Sequence, residues 1–297
     1  MPDRKWNGRA PAGRIAYVNG RYLPHGQAGV HIEDRGLQLG DSIYEVTNVL
    51  AGEPIDEEAH LDRMERSVGE LGIAMPMGRA ALKLVMREMI ARNRIRDGLL
   101  YLQVTRGAAR RDHVPPKNPP RPTLIMTMRT QDMTALAARM DKGVAVATVP
   151  DQRWARCDIK TVQLLPNLMA KQVAKALGGY EAWLVDSDGF VTEGASTNAW
   201  IVDEQGDVVT RDLSNAILPG VTRRIILEAA AGAGLKVAQR KFTVAQALKA
   251  REAFITSATG AAVPVVRIDG QAIGDGVPGP LSRHIHELYA RKAGIKS

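Results

Sequence analysis

A mixed α/β fold in two halves is what this sequence predicts, and three observations lead there. The chain has 297 residues, enough for about two domains at roughly 100–200 residues each. Its apolar residues switch repeatedly between alternation, the period of a strand, and spacings of three and four, the period of a helix. Glycine, proline and asparagine punctuate these runs at short intervals. Hydrophobic residues at 45% and charged residues at 24% give an ordinary globular balance, so each half has the means to bury a core.

The first half, taken as residues 1–130, opens with strands. Ile15-Ala16-Tyr17-Val18 is followed by Asn19-Gly20, a favoured hairpin turn, and by Arg21-Tyr22-Leu23. The β-branched run 43–50 ends at the turn Ala51-Gly52-Glu53. Leu61, Met64, Val68 and Leu71 mark a helix over 60–71, and Leu82, Val85, Met86, Met89 and Ile90 a second over 80–90. Strands at 99–105 and 123–128 flank a Gly-, Arg- and Pro-rich loop, and loops of that length are often functional. Gln131-Asp132-Met133 reads as the linker. The second half, 131–297, opens with a strand at 143–149. Further strands are expected near 157–161, 181–186, 198–202, 207–210 and 252–256, and helices near 167–177, 221–234 and 243–249.

Composition narrows the function classes. The net charge of +8, from 40 Lys+Arg against 32 Asp+Glu, is first a solvated basic surface and second an attraction for anions. The pairs Arg110–Arg111 and Arg223–Arg224 are short and lack interleaved aromatics, which speaks against a nucleic-acid-binding protein. One cysteine, Cys157, rules out an internal disulfide and fits a reducing compartment. The start, Met1-Pro2-Asp3-Arg4-Lys5-Trp6, carries no apolar h-region, and no run approaches the ~18 apolar residues of a membrane span. A cytoplasmic protein is therefore expected. Nucleotide-binding and zinc-hydrolase motifs are absent. His284 and His286, two apart on a helix, face different sides, so no metal is expected.

Several residues could carry chemistry, each with a plainer alternative. Lys160 lies in the strand-like run Cys157-Asp158-Ile159-Lys160-Thr161. A desolvated lysine can act as a nucleophile, whereas most strand lysines point to solvent. Glu193, in Val191-Thr192-Glu193-Gly194-Ala195-Ser196, could hold a proton on a pyridine nitrogen or simply occupy a hairpin turn. Leu218-Pro219-Gly220-Val221-Thr222-Arg223 precedes an apolar helix. Free N–H groups and the Thr222 hydroxyl there would suit a phosphate, as they would suit any helix start. Arg63 could add positive charge or lie on a helix surface. Arg111 and His113, in Arg110-Arg111-Asp112-His113, could clamp a carboxylate or belong to a solvated basic loop. Cys157 reads as a small packed side chain rather than a nucleophile.

The order of these elements resembles the fold-type IV, or class IV, pyridoxal-phosphate aminotransferases, and within them the D-amino acid transaminases. The resemblance runs from about Ala16 to Pro278. It is carried by Glu33-Asp34-Arg35-Gly36, Gly40-Asp41-Ser42-Ile43-Tyr44-Glu45-Val46 and His60-Leu61-Asp62-Arg63. It continues through Val104-Thr105-Arg106-Gly107 with Arg111-x-His113, and Arg153-Trp154-x-Arg156-Cys157-Asp158-Ile159-Lys160. Thr192-Glu193-Gly194-x-Ser196-x-Asn198, Ile217-Leu218-x-Gly220-x-Thr222-Arg223 and Phe254-Ile255-Thr256-Ser257 complete it.

That resemblance implies two α/β domains with pyridoxal 5'-phosphate between them, in a homodimer. It implies Lys160 as Schiff-base lysine and proton shuttle, and Glu193 as the acid on the pyridine nitrogen. Arg63, Val221 and Thr222 resemble phosphate ligands, Leu218 the residue on the ring face, and Ser196 a hydroxyl near phosphate and lysine. Where the family has a phosphate-binding threonine after Thr256-Ser257, this chain has Ala258 and then Thr259, so Ser257, Thr259 or a backbone N–H takes that place. Tyr44, Arg111 and His113 match the carboxylate trap of D-amino acid transaminases, the last two reaching in from the neighbouring subunit. The implied reaction moves an amino group from a D-amino acid to a 2-oxo acid. Branched-chain L-amino acid and (R)-amine transaminases, and aminodeoxychorismate lyase, are rivals on the same fold.

Overall fold

In the computed structural model, which describes residues 13–294, Asn19 and Gly20 take φ of 46° and 89°. That is the left-handed pair a two-residue hairpin needs. It joins β1 (Ile15–Val18) to β2 (Arg21–Pro24). The stretch Met1–Trp6 lies outside the described residues. There follow α1 (Arg35–Leu39), β3 (Ser42–Leu50), β4 (Glu53–Pro54), α2 (Glu57–Glu70), α3 (Arg79–Asn93), β5 (Gly98–Thr105) and β6 (Thr123–Thr130). The strands form an antiparallel sheet in the order β2-β1-β6-β5-β3-β4. α2 packs on β3, and α3 on β6 and β1. Leu61, Met64 and Val68 of α2 and Leu82, Met86, Met89 and Ile90 of α3 are buried, each worth about 1.5–3 kcal/mol of transfer free energy. β3 alternates along most of its length, with Ile43, Glu45, Thr47 and Val49 buried and Tyr44, Val46 and Asn48 half-buried.

The second unit contains α4 (Met133–Lys142), β7 (Val144–Pro150), α5 (Leu165–Ala176), β8 (Glu181–Val185), β9 (Val191–Gly194), β10 (Asn198–Val202), β11 (Val208–Thr210), α6 (Val221–Gly232), β12 (Val237–Gln239), α7 (Val244–Leu248), β13 (Glu252–Ser257), β14 (Ala261–Ile268), β15 (Gln271–Ala272) and α8 (Pro280–Lys292). Its mixed sheet runs β12-β11-β10-β13-β14-β7-β8-β9, with β15 on β14. Strands β9, β10 and β11 are buried throughout, as in a sheet covered on both faces. Trp183, Trp200, Phe242 and Phe254 are fully buried there. Trp183 and Phe242 meet edge to face, and Trp200 stacks on Phe254. Among the described residues no helix is long and apolar enough to cross a membrane.

The structure corrects two expectations. Residues 157–161 are not a strand. Asp158 folds back onto Arg156, with Nε at 2.9 Å and Nη2 at 3.0 Å, and Ile159 N–H donates to the Arg156 carbonyl. These local bonds make a turn, and only Thr161 pairs, in an isolated bridge to Ile43. Lys160, expected within the second half, groups instead with the first. One compact unit is Met1–Gln131 with Lys160–Val162, and the other is Asp132–Ile159 with Gln163–Ser297. The bridge onto β3 is the cause. The units divide between Gln131 and Asp132, where Asp132 also caps α4 by accepting from Ala135 N–H at 2.9 Å.

Candidate active site

The bridge to β3 decides where Lys160 sits. Tyr44 N–H donates to the Lys160 carbonyl at 3.0 Å, and Val162 N–H to the Ser42 carbonyl at 3.3 Å. The lysine Nζ then lies 4.1 Å from the centroid of the Tyr44 ring, within cation–π range. Both side chains are half-buried. Tyr44 stacks on Tyr101 of β5, centroids 5.8 Å apart. Tyr101 Oη donates to Gln103 Oε1 at 2.9 Å, and Gln103 Nε2 to Ser42 Oγ at 3.1 Å. Burial, helped by Tyr44, pushes the Tyr101 hydroxyl up to about 12, so it stays a neutral donor.

One residue along β3, Glu45 points to the opposite face and meets α2. His60 and Arg63, three apart, share that helix face. Glu45 takes Arg63 Nε at 2.7 Å and Nη2 at 2.8 Å, and His60 Nδ1 lies at 2.9 Å. Burial alone would raise the Glu45 pKa, but the Arg63 charge and hydrogen bonds, with His60, outweigh it and hold the carboxyl far below the usual range. Arg63 is therefore a charge held in place by a buried partner, not a surface arginine.

In the second unit Glu193 is 4% exposed in β9, a strand where a hairpin turn was the alternative. It pairs with Arg153 Nη1 and accepts from Asn198 Nδ2 at 2.9 Å and Leu218 N–H at 3.1 Å. Arg153 also forks onto Asp151, with Nε at 2.9 Å and Nη2 at 2.7 Å. Thr192 Oγ1 donates to Asp151 at 2.7 Å. Burial holds the Glu193 carboxyl above its usual range, with Arg153 pulling the other way. Asp151 is held below its range, because Arg153 and Thr192 together overcome its burial.

The start of α6 suits a phosphate. Thr222 is 2% exposed, yet its Oγ1 has no hydrogen-bond partner among the described residues. A buried orphan hydroxyl of this kind calls for a ligand. Gly220, the N-cap, leaves the first-turn N–H groups without a side-chain cap. A Cβ at Gly220 would lie 2.1 Å from Asn198 Oδ1. Leu218 is half-buried and Val221 buried. Ser257 and Thr259 hydroxyls lie 3.1 Å apart.

Ser196 is exposed and donates to Glu181 Oε2 at 2.5 Å, an acid also met by Lys171 at 3.2 Å. Arg111 and His113 are exposed on the β5–β6 loop. Cys157 Sγ donates to the Trp154 carbonyl at 3.1 Å. Burial raises its thiol to about 11, which makes it a poor nucleophile. Sequence reasoning gave Glu45, His60, Arg153, Asp151 and Asn198 no role. The spacing of His60 and Arg63 opposite an acid was the available signal for the first two.

The known proteins agree with this chemistry. The family described as Amino-transferase class IV matches residues 42–268, and the chain belongs to that family. It is a pyridoxal-phosphate-dependent transaminase, moving amino groups between amino and keto acids. It is 39% identical over 267 residues to the D-alanine aminotransferase of Bacillus licheniformis, covering 90% of this chain and 93% of that protein. The Staphylococcus haemolyticus D-alanine aminotransferase is 34% identical over 92% of this chain and 95% of its own length. Among solved structures, the Escherichia coli branched-chain amino acid aminotransferase superposes with a TM-score of 0.87 over 96% of each chain, at 20% identity, which is a likeness of fold. A hypothetical aminotransferase from Mycobacterium tuberculosis, in its PLP-bound form, gives 0.79 over 94% of this chain and 98% of its own, at 22% identity, again a likeness of fold.

Proposed function

We propose that this transaminase takes its amino group from a D-amino acid, of the D-alanine or D-glutamate type, and passes it to 2-oxoglutarate or pyruvate in a ping-pong cycle. Relatives named D-alanine aminotransferase at 39% and 34% identity support the substrate class. The observation that carries the reading is Lys160 Nζ lying 4.1 Å from the Tyr44 ring. It sets a proton-moving amine beside a phenol that can hold a substrate carboxylate.

Bound pyridoxal phosphate supplies an electron sink for the charge left when an α-proton departs. The chain's residues do the rest. Lys160 would carry the cofactor and move the proton at the substrate α-carbon. Glu193 would hold a proton on the ring nitrogen, a task its raised pKa suits. Arg63, the Val221 and Thr222 N–H groups, the Thr222 hydroxyl and the Ser257–Thr259 turn would hold the phosphate. Ser196 would add a hydroxyl, and Leu218 would pack on the ring. Tyr44, Arg111 and His113 bind the α-carboxylate. Arg111 and His113 serve a second copy of the chain in a homodimer, consistent with their exposure. A cytoplasmic setting fits the lone thiol.

The test is steady-state transfer from D-alanine to 2-oxoglutarate, monitored by pyruvate release, for the parent and Arg111→Ala. The parent should use D-alanine and leave L-leucine, and the variant's KM for D-alanine should rise about tenfold or more, as loss of charged hydrogen bonds of about 1.5–3 kcal/mol requires. Transfer from L-leucine alone would move the chain to the branched-chain group. Pyruvate release from aminodeoxychorismate without an amino acceptor would mark a lyase.

A further inference from the structure

The β5–β6 loop that carries Arg111 and His113 is exposed at its tip, yet a buried charge is tied to its backbone. Arg35, 3% exposed in α1, donates from Nη1 to the Asp112 carbonyl at 2.6 Å and from Nη2 to the His113 carbonyl at 3.4 Å. Its Nε donates to Asp41 Oδ2 at 2.9 Å. One planar guanidinium thus spans the peptide groups on either side of His113, one of which directly follows Asp112, the neighbour of Arg111. Asp41 does not serve Arg35 alone. Arg106, at the foot of the loop, places Nε at 2.7 Å and Nη2 at 3.0 Å on the same carboxylate.

The foot of the loop is clamped as well. Arg35 N–H donates to the Gly107 carbonyl at 3.0 Å, and Ala109 N–H to the Glu33 carbonyl at 3.2 Å. Asp34 bridges to Ala108 and accepts from Thr105 Oγ1 at 3.0 Å. Gly107 takes φ of 100°, and a Cβ there would lie 2.2 Å from the Arg121 carbonyl, so the two ends of the loop approach closely. Val114 N–H donates to Asp112 Oδ1 at 3.0 Å. The loop therefore has a rigid foot, and Arg35 is the strut that reaches from it to the tip.

We infer that Arg35 is a positioning residue for substrate specificity: through the Asp112 and His113 carbonyls it holds Arg111 and His113 ready for a carboxylate before substrate arrives. The inference rests on the reading of Arg111 and His113 as carboxylate donors given above. A preordered donor pair binds without the entropy of arranging a loop at each encounter. Lysine cannot replace arginine here, because an ammonium lacks the planar fork that meets two carbonyls and a carboxylate together. Removing the strut should therefore weaken binding of the carboxylate while leaving proton transfer at Lys160 unchanged.

Three variants of the holoenzyme test this: Arg35→Lys, Arg111→Ala and the double variant. Arg35→Lys should keep the cofactor's visible band, raise KM for D-alanine about tenfold and change kcat less than about twofold. In the double variant Arg35→Lys should add to the KM of Arg111→Ala only the smaller effect that runs through His113, well short of the product of the two single effects. Independent, multiplying effects, or a loss confined to kcat, would overturn the strut. If Arg111→Ala leaves KM for D-alanine unchanged, the carboxylate trap itself fails, which is a separate result. Amide hydrogen exchange on the unaltered holoenzyme needs no variant to fold. The Ala109 and Val114 amides should be protected without substrate. Protection that appears only on adding D-alanine would contradict a preordered loop.

Discussion

At the scale of single residues, the cations Lys160 and Arg63 are set by their partners. Lys160 is set by its backbone pairing with Tyr44, and its side chain is left beside a ring. Lys160→Ala should therefore abolish transfer while leaving the fold intact. Borohydride reduction of the parent holoenzyme should fix the cofactor mass on the peptide containing Lys160, and mass on another lysine would sink the assignment. Glu45 is different in kind. Glu45→Gln strips the charge from the buried partner of Arg63, and breaking a buried pair costs about 3–5 kcal/mol. A urea melt should show that loss in the cofactor-free protein. An unchanged midpoint would mean that Arg63 finds another anchor. Lys160, Tyr44, Glu193 and Thr222 drew roles from the sequence because the family resemblance assigns each of them one. Glu45, in the same motif as Tyr44, drew none, because a buried acid in an alternating strand looks like any inward residue until its helix partner is known.

At the scale of elements, the start of α6 concentrates what phosphate binding needs. Thr222 Oγ1 is buried without a partner among the described residues, so removing it has opposite effects on two properties. Thr222→Val should leave the cofactor-free protein as stable or up to about 1 kcal/mol more stable, since an unsatisfied polar group is removed. It should also weaken pyridoxal phosphate binding. Lower stability with unchanged affinity would show that the hydroxyl serves the fold instead. Elements with clean periodicity, such as β3 and α2, are readable from the sequence. The run 157–161 is not, because its residues favour a strand, while the Asp158–Arg156 pair closes a turn that propensity does not register. β14 and α8 are not among the elements expected from the sequence although each carries a signal, β-branched Val263, Val265, Val266 and Ile268 in the one and Leu281, Ile285 and Tyr289 at helical spacing in the other; α8 lies on β14 and α6.

At the scale of the molecule, buried and half-buried carboxylates paired with arginine govern the response to acid. Asp41, Glu45 and Asp151 all have pKa values below their ordinary ones. The unfolded chain then binds protons more readily, so their contribution is present above the unfolded carboxylate range of about 4 and is lost as pH falls below it. Glu193 acts in the opposite sense. Its pKa is raised, so the folded chain gains a little stability as pH falls toward that range. With three groups against one, the urea midpoint should drop steeply below about pH 4. Glu45→Gln should flatten that drop, and an unaltered acid limb would contradict the part given to Glu45. A mixture of strands and helices in both halves was readable from length and periodicity. The transfer of Lys160 to the first unit was not, because one bridge between distant segments leaves no mark on local sequence.

The most direct measurement is a single half-reaction on the purified, cofactor-loaded protein, mixed with D-alanine and separately with L-leucine, and followed by the cofactor's visible absorbance. The predicted result is loss of the band with D-alanine alone. Loss with L-leucine alone would contradict the trap formed by Tyr44, Arg111 and His113 while keeping the transaminase and Lys160.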